Sequence, residues 1–378
     1  MKILLVGEYS RLHNSLKEGL IALGHEAVIV GHGDGFKNYD VDYLIEKRWD
    51  SGWKKKVKVG IFKLTGFDIS SHLTYRDFKR QQRFFSGFDI VQLINENSFN
   101  CQPKYEKRML SYLFANNNKS FLLSCGDDYL NVKYNFENPN SKSVLQPYLA
   151  GKISDKNFQN VLKFRKKSFK KLHDFIINNV SGIISSDLDY HIALQNHRKY
   201  LGMIPNPVNV DKIKFIEQNQ HKAVRIFFGI NTETYHKKGL EFFEQALTII
   251  KAEFAEKVDI KITRDLPYAD YINLYDKANI LLDQVYANDQ GYNALEAMAK
   301  GKVVFTGAEN VFIQHYNITD DVAINAVPDV DELVTKIRLL LQNPTQIDAI
   351  RRSARSFIER EHHYVEIAKK YVQTWTKA

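Results

Sequence analysis

Short apolar runs alternate with amphipathic stretches along the chain, a pattern typical of strands that alternate with helices. Residues 2–6 are strand-like, leucines at positions 12, 16, 20 and 23 fall on one helical face, and residues 27–30 are again strand-like. This order predicts a βαβ unit with parallel strands. Further buried strands are predicted at residues 89–95, 120–128 and 180–186.

The regular pattern stops at residues 204–211, Ile-Pro-Asn-Pro-Val-Asn-Val-Asp. Two prolines so close together exclude a helix or a central strand, so we place a domain boundary here. The sequence therefore predicts an α/β chain of two domains, residues 1–205 and residues 206–360. In the second domain, strands are predicted at residues 224–228, 258–262, 278–282 and 303–306.

Residues 283–301 form a polar loop and a short helix-forming segment between two of these strands. In an open parallel sheet, ligands bind beyond the carboxyl ends of strands, where a loop leads into a helix N-terminus that attracts anions. Glu296 lies one turn into this helix and has two interpretations. With Asn293 it has the spacing of a capping box, in which its carboxylate accepts from a backbone N–H. Alternatively, it accepts two hydrogen bonds from a vicinal diol such as a ribose, while the helix end faces the phosphates.

Residues 291–304, Gly-Tyr-Asn-Ala-Leu-Glu-Ala-Met-Ala-Lys-Gly-Lys-Val-Val, resemble the signature of the large retaining family of GT-B glycosyltransferases, the glycosyl transferases group 1 type. The usual form of that signature is Glu-Gly-Phe-Gly-x-x-x-Leu-Glu-Ala-Met-Ala-x-Gly-x-Pro-Val. Residues 204–211 resemble the family's interdomain Ile-Pro-Asn-x-Val-Asp. The resemblance implies two Rossmann-like, doubly wound parallel-sheet domains facing each other across a cleft, with residues 361–378 crossing back onto the first domain.

The reaction implied by the resemblance is transfer of a sugar, of the hexosyltransferase type, from a nucleotide sugar to a hydroxyl of a glycan or lipid-linked acceptor, with retention of configuration. Such enzymes build bacterial surface polysaccharides. The UDP- or GDP-linked donor is a substrate, so no separate cofactor is expected, and no metal is implied because no Asp-x-Asp motif stands at a plausible loop. Two alternatives stay open: a GT-B sugar-nucleotide epimerase, which needs no acceptor, and a non-catalytic binding or scaffold protein of polysaccharide assembly.

By the resemblance, Glu296 matches the glutamate that holds the donor ribose, and Lys238 before Gly239 matches a lysine that neutralises the donor diphosphate. We predict that both are catalytic, because charge developing on a diphosphate leaving group must be stabilised in a partly dehydrated cleft. The other predicted donor-binding residues are Gly229, Lys237, Asn288, Asp289, Gly291, Tyr292 and Asn293. The predicted acceptor-side residues of the first domain are Glu8, His13 and Asp127.

Three positions depart from the family pattern. Asn288 stands where the family has the first of its two glutamates, which contacts donor-sugar hydroxyls. Ile230 stands where it has an arginine, and Cys125 stands where it has a histidine near the reacting carbon. The sequence leaves open whether the missing positive charge is absent or comes from His236, Lys237 or Arg264.

Composition narrows the class of protein. With 378 residues and 44% hydrophobic content, the chain is long enough for two domains with their own cores. Its two cysteines exclude a disulfide framework and a cysteine-rich zinc site, which suits a reducing cytoplasm. The net charge of +9 favours anionic partners. Nucleic acid is not expected, because the basic residues are spread along the chain without a zinc-finger spacing or an RNA-recognition aromatic motif.

Two segments, residues 53–58 and 162–180, combine lysines with apolar side chains. We interpret residues 53–58 first as part of a solvated basic loop and helix, and residues 162–180 as a helix that packs on its own domain. For both segments, the alternative is binding to an anionic membrane surface. No apolar run in the sequence is long enough to span a membrane. We therefore expect a cytoplasmic protein, and the membrane alternative would place it peripherally on the inner face of the cell membrane.

Overall fold

The computed structural model describes residues 1–33, 39–217 and 223–378. The strands of the described residues form two sheets. The first contains β1 (Lys2–Val6), β2 (Glu26–Gly31), β3 (Tyr43–Leu44), β4 (Ile90–Leu93), β5 (Lys119–Ser124), β6 (Gly182–Ser185) and β7 (Tyr200–Met203). The second contains β8 (Val224–Ile230), β9 (Val258–Arg264), β10 (Ile280–Leu282), β11 (Val303–Thr306) and β12 (Ile324–Asn325).

The strand order is β3-β2-β1-β4-β5-β6-β7 in the first sheet and β12-β11-β10-β8-β9 in the second. The pairings between these strands are parallel. The strand order reverses between β1 and β4 in the first sheet and between β8 and β10 in the second. Ligand crevices of doubly wound sheets lie at such reversals, beyond the carboxyl ends of the strands. The loops after these four strands are therefore where a site is expected.

Helices cover both sheets. In the part of the chain that leads to β8, they are α1 (Leu12–Ala22), α2 (Gly52–Thr65), α3 (Ile69–Gln81), α4 (Pro103–Asn116), α5 (Tyr129–Glu137), α6 (Gln146–Leu149), α7 (Gln159–Leu162), α8 (Lys167–Asn179) and α9 (Leu188–Leu194). After β8 they are α10 (Tyr235–Lys238), α11 (Leu240–Glu253), α12 (Tyr268–Lys277), α13 (Tyr292–Ala299), α14 (Asn310–Tyr316), α15 (Val330–Gln342), α16 (Pro344–Glu361) and α17 (Tyr364–Lys377). None of the helices in these described ranges is both long and apolar enough to cross a membrane.

Each face of the first sheet has its own core. Side chains alternate along β1, so Leu4 and Val6 pack on one side, whereas Ile3 and Leu5 pack on the other. The second of these faces is covered by α1 and by the last helix, α17, which contributes the fully buried Trp375. The chain therefore returns to the first sheet at its C-terminal end.

The structure confirms the prediction of two α/β domains with parallel sheets. The first sheet ends at Met203 and the second begins at Val224, so residue 205 lies between them. Val208 and His363 form an isolated parallel bridge, which joins the interdomain segment to the start of α17. The limits 1–205, 206–360 and 361–378 remain our proposal for the domain boundaries.

Candidate functional site

A cavity of about 560 Å³ lies where loops of the first sheet meet the N-terminal end of α13. The first domain contributes several segments, among them the loops after β1, β4 and β5, and the second domain contributes Asn206 and the two residues at the start of α13. The loops come together because the carboxyl ends of parallel strands share one edge of a sheet. The lining residues include Tyr9, Ser10, Lys47, Asn95, Asn97, Cys125, Gly126, Asp127, Lys163, Asp187, Tyr190, Gly291 and Tyr292.

The N-terminal end of α13 differs from the capping box considered above. Gly291 is the N-cap, in an extended conformation, and no side chain caps the helix there. Asn293 lies inside the first turn, where its Oδ1 accepts from the Tyr271 hydroxyl at 3.3 Å and its Nδ2 lies 3.4 Å from Asp283 Oδ1. Asn293 is therefore not the N-cap residue of a capping box, and that interpretation is wrong for Asn293. The phenol of Tyr292 reaches the first domain, where its oxygen lies 2.6 Å from Ser15 Oγ of α1.

Glu296 is half-buried and is surrounded by tyrosines. Burial, followed by the charge of the Glu296 carboxylate, raises the pKa of Tyr268, Tyr275 and Tyr292. Gly229, at the end of β8, leaves room for another ring of this group, because a Cβ there would lie 2.4 Å from the ring of Tyr271. The carboxylate thus stands in a partly dehydrated group of hydroxyl-bearing rings, an environment suited to a polyol.

The carboxylate of Asp283 orients the side chain of Lys238. Its Nζ donates to Asp283 Oδ1 at 2.9 Å, and Asp283, at the end of β10, is almost completely buried. Gly239 follows with a φ of +66°, and a Cβ there would lie 2.3 Å from a methyl group of Val285. Only glycine fits this position without strain, which explains the Lys-Gly pair.

Lys237 links the predicted donor side to the predicted acceptor side. Its Nζ donates to Asp127 Oδ2 at 2.6 Å, and Asp127 lines the cavity from the first domain. These two residues, which we predicted from separate motifs, are therefore direct neighbours across the cleft.

Asn288 and Asp289 face α9 of the first domain. The backbone N–H and the Nδ2 of Asn288 both donate to Asp189 Oδ1, at 2.8 and 2.7 Å. Asp289 is buried and accepts from the backbone N–H of Leu188 at 3.3 Å and of Gln290 at 2.7 Å. Burial raises the pKa of Asp289 to about 7 and that of Asp189 to about 6. An additional carboxylate at position 288 would face Asp189, which gives a physical reason for the departure from glutamate.

Glu8 and His13 support the loop after β1. Glu8 Oε2 accepts from the backbone N–H and the Nδ2 of Asn14, at 2.8 and 2.7 Å, and so satisfies a donor in the first turn of α1. His13 is fully buried and donates through Nδ1 to the Gly7 carbonyl at 2.7 Å. Burial lowers the pKa of His13 to about 4, so the ring is neutral at physiological pH. The structure places His13 beneath the loop and Asp127 at the cavity.

The position of the family arginine carries no charge here, because Ile230 is buried in the core of the second domain. Among the substitutes considered, Arg264 pairs with Glu244 and lies over the Tyr235 ring, and His236 packs beside the same ring. Lys237 alone of the three contacts a residue that lines the cavity.

The substitutes considered from the sequence did not include Arg11. Arg11 is the residue directly before α1, with a φ of +72°, and follows Ser10, whose φ is +50°, so two adjacent non-glycine residues adopt a left-handed conformation. Burial lowers the pKa of the Arg11 guanidinium, but interactions with Glu18, Tyr292 and Glu296 raise it by a larger amount. The pKa is therefore raised overall, and the guanidinium stays charged. Its Nη2 donates to Glu18 Oε1 at 3.1 Å. Two adjacent left-handed residues in one loop are the signal that identifies it, and they are visible only in the structure.

A buried polar cluster supports the cavity wall around Cys125 and Asp127. His173 Nδ1 lies 2.5 Å from Glu96 Oε1, and burial followed by the charge of Glu96 raises the pKa of the neighbouring Asp128 to about 7. Cys125 lines the cavity where the family histidine was expected, and its carbonyl accepts from Asn95 Nδ2 at 2.9 Å. No local sequence pattern joins residues so far apart along the chain.

Residues 233–373 match the model of the family described as glycosyl transferase-like. No curated protein matches the sequence. The family match confirms the resemblance stated above and the prediction of an enzyme, a glycosyltransferase.

Solved structures similar along the whole chain include three bacterial proteins. Sucrose-phosphate synthase from Thermosynechococcus elongatus has a TM-score of 0.63 at 13% identity, covering 100% of this chain and 99% of that one. HepE from Anabaena, in complex with UDP and glucose, has a TM-score of 0.60 at 10% identity and covers 100% of both chains. A glycosyltransferase from Rickettsia africae has a TM-score of 0.56 at 14% identity, covering 99% and 97%. At these identities the likeness concerns the fold, and it confirms the GT-B architecture.

Proposed function

We propose that this chain, a glycosyltransferase of the GT-B fold, moves a sugar from a UDP- or GDP-linked donor to a hydroxyl of a glycan or lipid-linked acceptor. The observation that carries the proposal is the cavity between the domains, lined by the start of α13, the helix that contains Glu296, and by Asp127, which pairs with the lysine next to Lys238. UDP is the first nucleotide to test, since HepE, which shares the fold, was solved with UDP and glucose.

On the donor side, we assign the ribose to Glu296 and the diphosphate to Lys238 and the N-terminal end of α13. A carboxylate can accept both hydrogen bonds of a ribose diol, and unpaired N–H groups at a helix end attract phosphate. Asp283 holds Lys238 in place before the donor arrives, which reduces the ordering that binding requires.

We assign the second cation on the diphosphate to Arg11. It belongs to the loop after β1, close enough to Glu296 for the charge of that carboxylate to act on it. Because Arg11 belongs to the first domain and Lys238 to the second, a diphosphate between them would join the domains. A non-glycine residue held at φ +72° costs free energy, and such strain is concentrated at binding sites.

In the transfer step, the bond between the anomeric carbon and the phosphate oxygen breaks, and the acceptor oxygen bonds to the same carbon. The nucleoside diphosphate leaves with the electron pair of the broken bond, and the proton of the acceptor hydroxyl passes to its oxygen. Retention of configuration belongs to the proposal and is tested by NMR of the product anomer. Metal independence also belongs to it, because two cations and a helix end can balance the leaving-group charge. Turnover should therefore continue in EDTA.

The proposal is tested first by calorimetry with UDP, GDP and ADP. We expect one nucleotide to bind to the wild type, and binding to weaken in Glu296→Ala and in Lys238→Ala. Lys300→Ala is the matched control, since Lys300 follows the opposite end of α13 and pairs with Asp276. Absence of binding by all three nucleotides would refute the donor site.

Donor turnover then separates the functional alternatives. A scaffold protein would bind the nucleotide without consuming the sugar donor, and an epimerase would convert the donor without an acceptor. A transferase consumes the donor faster when a suitable acceptor is added.

A further inference from the structure

Helix α2 is a well-formed helix with no buried side chain. It spans 14 residues, Gly52–Thr65, and none of them is buried. Helices this short are marginal in water by themselves, and in proteins most of their stability comes from packing an apolar face. A helix that leaves every side chain at least partly accessible therefore has a face available for another surface.

The uncovered face of α2 is apolar. Trp53, Val57, Ile61 and Leu64 follow one another at spacings of four, four and three, which places them on one side of the helix. Trp53 is 68% exposed and Leu64 is 87% exposed. Large apolar side chains aligned on an exposed helix face indicate an interaction site.

Basic residues predominate on the rest of the helix, where Val59 and Phe62 are also exposed. The helix contains five lysines and no acidic residue. One of them, Lys58, pairs at 2.6 Å with Asp50, a residue that precedes the helix. An apolar stripe containing tryptophan, bordered by lysines, is the pattern of helices that lie in the plane of a membrane interface.

Helix α8 shows that this composition does not by itself leave a helix uncovered. It too carries several lysines, but it buries Phe169, Leu172 and Ile176 in its own domain. The prediction that residues 162–180 form a basic helix packed on its own domain is therefore confirmed. For α2, the apolar stripe has no such cover within the described residues.

We propose that α2 docks this protein on an anionic lipid bilayer, with Trp53, Val57 and Leu64 inserted below the headgroups and the lysines among them. Charge decides between this partner and two others. A second copy of α2 would bring five more lysines against the first five. Nucleic acid would attract the lysines but leave the apolar stripe in water.

The position of α2 connects the bilayer with the cavity. Lys47 lines the cavity, and the chain enters α2 at Gly52. A membrane at α2 would therefore lie near the first-domain side of the cavity. This inference rests on the proposed function. A lipid-linked acceptor would keep its lipid in the bilayer and would reach the acceptor side of the cavity.

The proposal is tested by co-sedimentation with vesicles, without donor or acceptor, so that its outcome is independent of nucleotide binding. We expect the wild type to bind vesicles of equal parts phosphatidylglycerol and phosphatidylcholine and not vesicles of phosphatidylcholine alone. The double variant Trp53→Ser, Leu64→Ser should bind the anionic vesicles roughly tenfold to a hundredfold more weakly. The double variant Lys54→Gln, Lys55→Gln should lose about tenfold or more.

The matched control removes the same charge from the helix that packs. Lys167→Gln with Lys171→Gln changes two exposed lysines of α8 and should stay within about twofold of the wild type. An equal loss in this control would show that net charge, not α2, drives binding and would overturn the proposal. Failure of the wild type to bind anionic vesicles would overturn it too, as would dimerisation that the Trp53, Leu64 variant abolishes. Circular dichroism and nucleotide binding confirm that each variant folds.

Discussion

The side chain at position 288 is held from the other domain. Asn288 gives two hydrogen bonds to one oxygen of Asp189, and the family glutamate would bring a carboxylate to the same oxygen. Asn288→Glu should therefore destabilise the protein by about 1–3 kcal/mol, because a hydrogen bond is lost and like charges meet. Chemical denaturation measures this change.

The Asp189→Asn background is the control for Asn288→Glu. In that background the repulsion disappears, so the two changes together should cost less than the sum of the single changes. Strict additivity, or full stability of Asn288→Glu, would show that the contact does not form in solution.

Arg11 gives a second prediction at the residue scale. Arg11→Met keeps most of the side chain's length and removes its charge, so nucleotide diphosphate affinity should fall by about tenfold to a hundredfold. Calorimetry measures the dissociation constant. Ser10→Gly is the control, because it relieves the neighbouring left-handed residue without changing charge. Wild-type affinity in Arg11→Met would assign the second cation elsewhere.

At the scale of elements, α17 holds the first sheet from the far end of the chain. Trp375 is fully buried, and its Nε1 donates to Gln92 Oε1 of β4 at 2.9 Å. Trp375→Ala should lower the free energy of unfolding by about 3–5 kcal/mol, because it leaves a large cavity and an unpaired amide. Trp53→Ala, on the uncovered helix, should leave stability nearly unchanged. Equal effects of the two substitutions would contradict the packing described for α17.

Helix α1 accepts α17 because of one small residue. A Cβ at Gly19 would lie 2.3 Å from the carbonyl oxygen of Tyr364 and 2.8 Å from the Cβ of Ala368. The two helices therefore meet with backbone close to backbone, and only glycine permits that approach.

The predictability of these elements follows from their burial. Strands such as β1 and β6 are covered on both faces, so they form continuous apolar runs that the sequence shows directly. The fate of an amphipathic helix depends on what the rest of the fold places beside it. Residues 53–58 and 162–180 shared the membrane-binding alternative, yet α8 packs on its own domain, whereas α2 buries no side chain.

Residues of the candidate site were predictable only where a single sequence motif contains them. Lys238 and Glu296 were predicted from local motifs that carry the family resemblance, whereas the contact between Asn288 and Asp189 joins positions 99 residues apart and forms where the domains meet. The roles of the site residues remain proposals that the variants above test.

At the scale of the whole molecule, polar contacts join the two domains around the cavity. Tyr292 meets Ser15, Lys237 meets Asp127, and Lys142 Nζ donates to Glu309 Oε1 at 2.6 Å. Asp189 and Asp289 take part in the same junction through Asn288 and Leu188. Two carboxyl groups with raised pKa values at an interface make its stability dependent on pH.

We expect the stability of the protein to fall as the pH rises from about 5 to about 8. The folded-state pKa values of Asp189, about 6, and Asp289, about 7, lie above the ordinary 3.8, so the folded protein holds these protons more tightly than the unfolded chain. Their contribution is complete below the ordinary pKa and is lost as the pH passes through 6 and 7. Buried His13 and His362, with pKa values lowered to about 4, have the opposite effect. Their contribution to stability is lost as the pH falls, because the buried rings must then take up protons.

The melting temperature measured against pH should therefore pass through a maximum on the acidic side of neutrality, with a falling limb at higher pH. Asp289→Asn tests whether the interface causes that limb, because asparagine resembles the protonated carboxyl and does not titrate. The variant should show a shallower limb than the wild type. Asp189 and Asp187, together with Asp128 and Glu106 within the first domain, also have pKa values raised by burial and contribute the remaining slope in both proteins. An unchanged limb in Asp289→Asn would show that Asp289 does not cause the pH dependence.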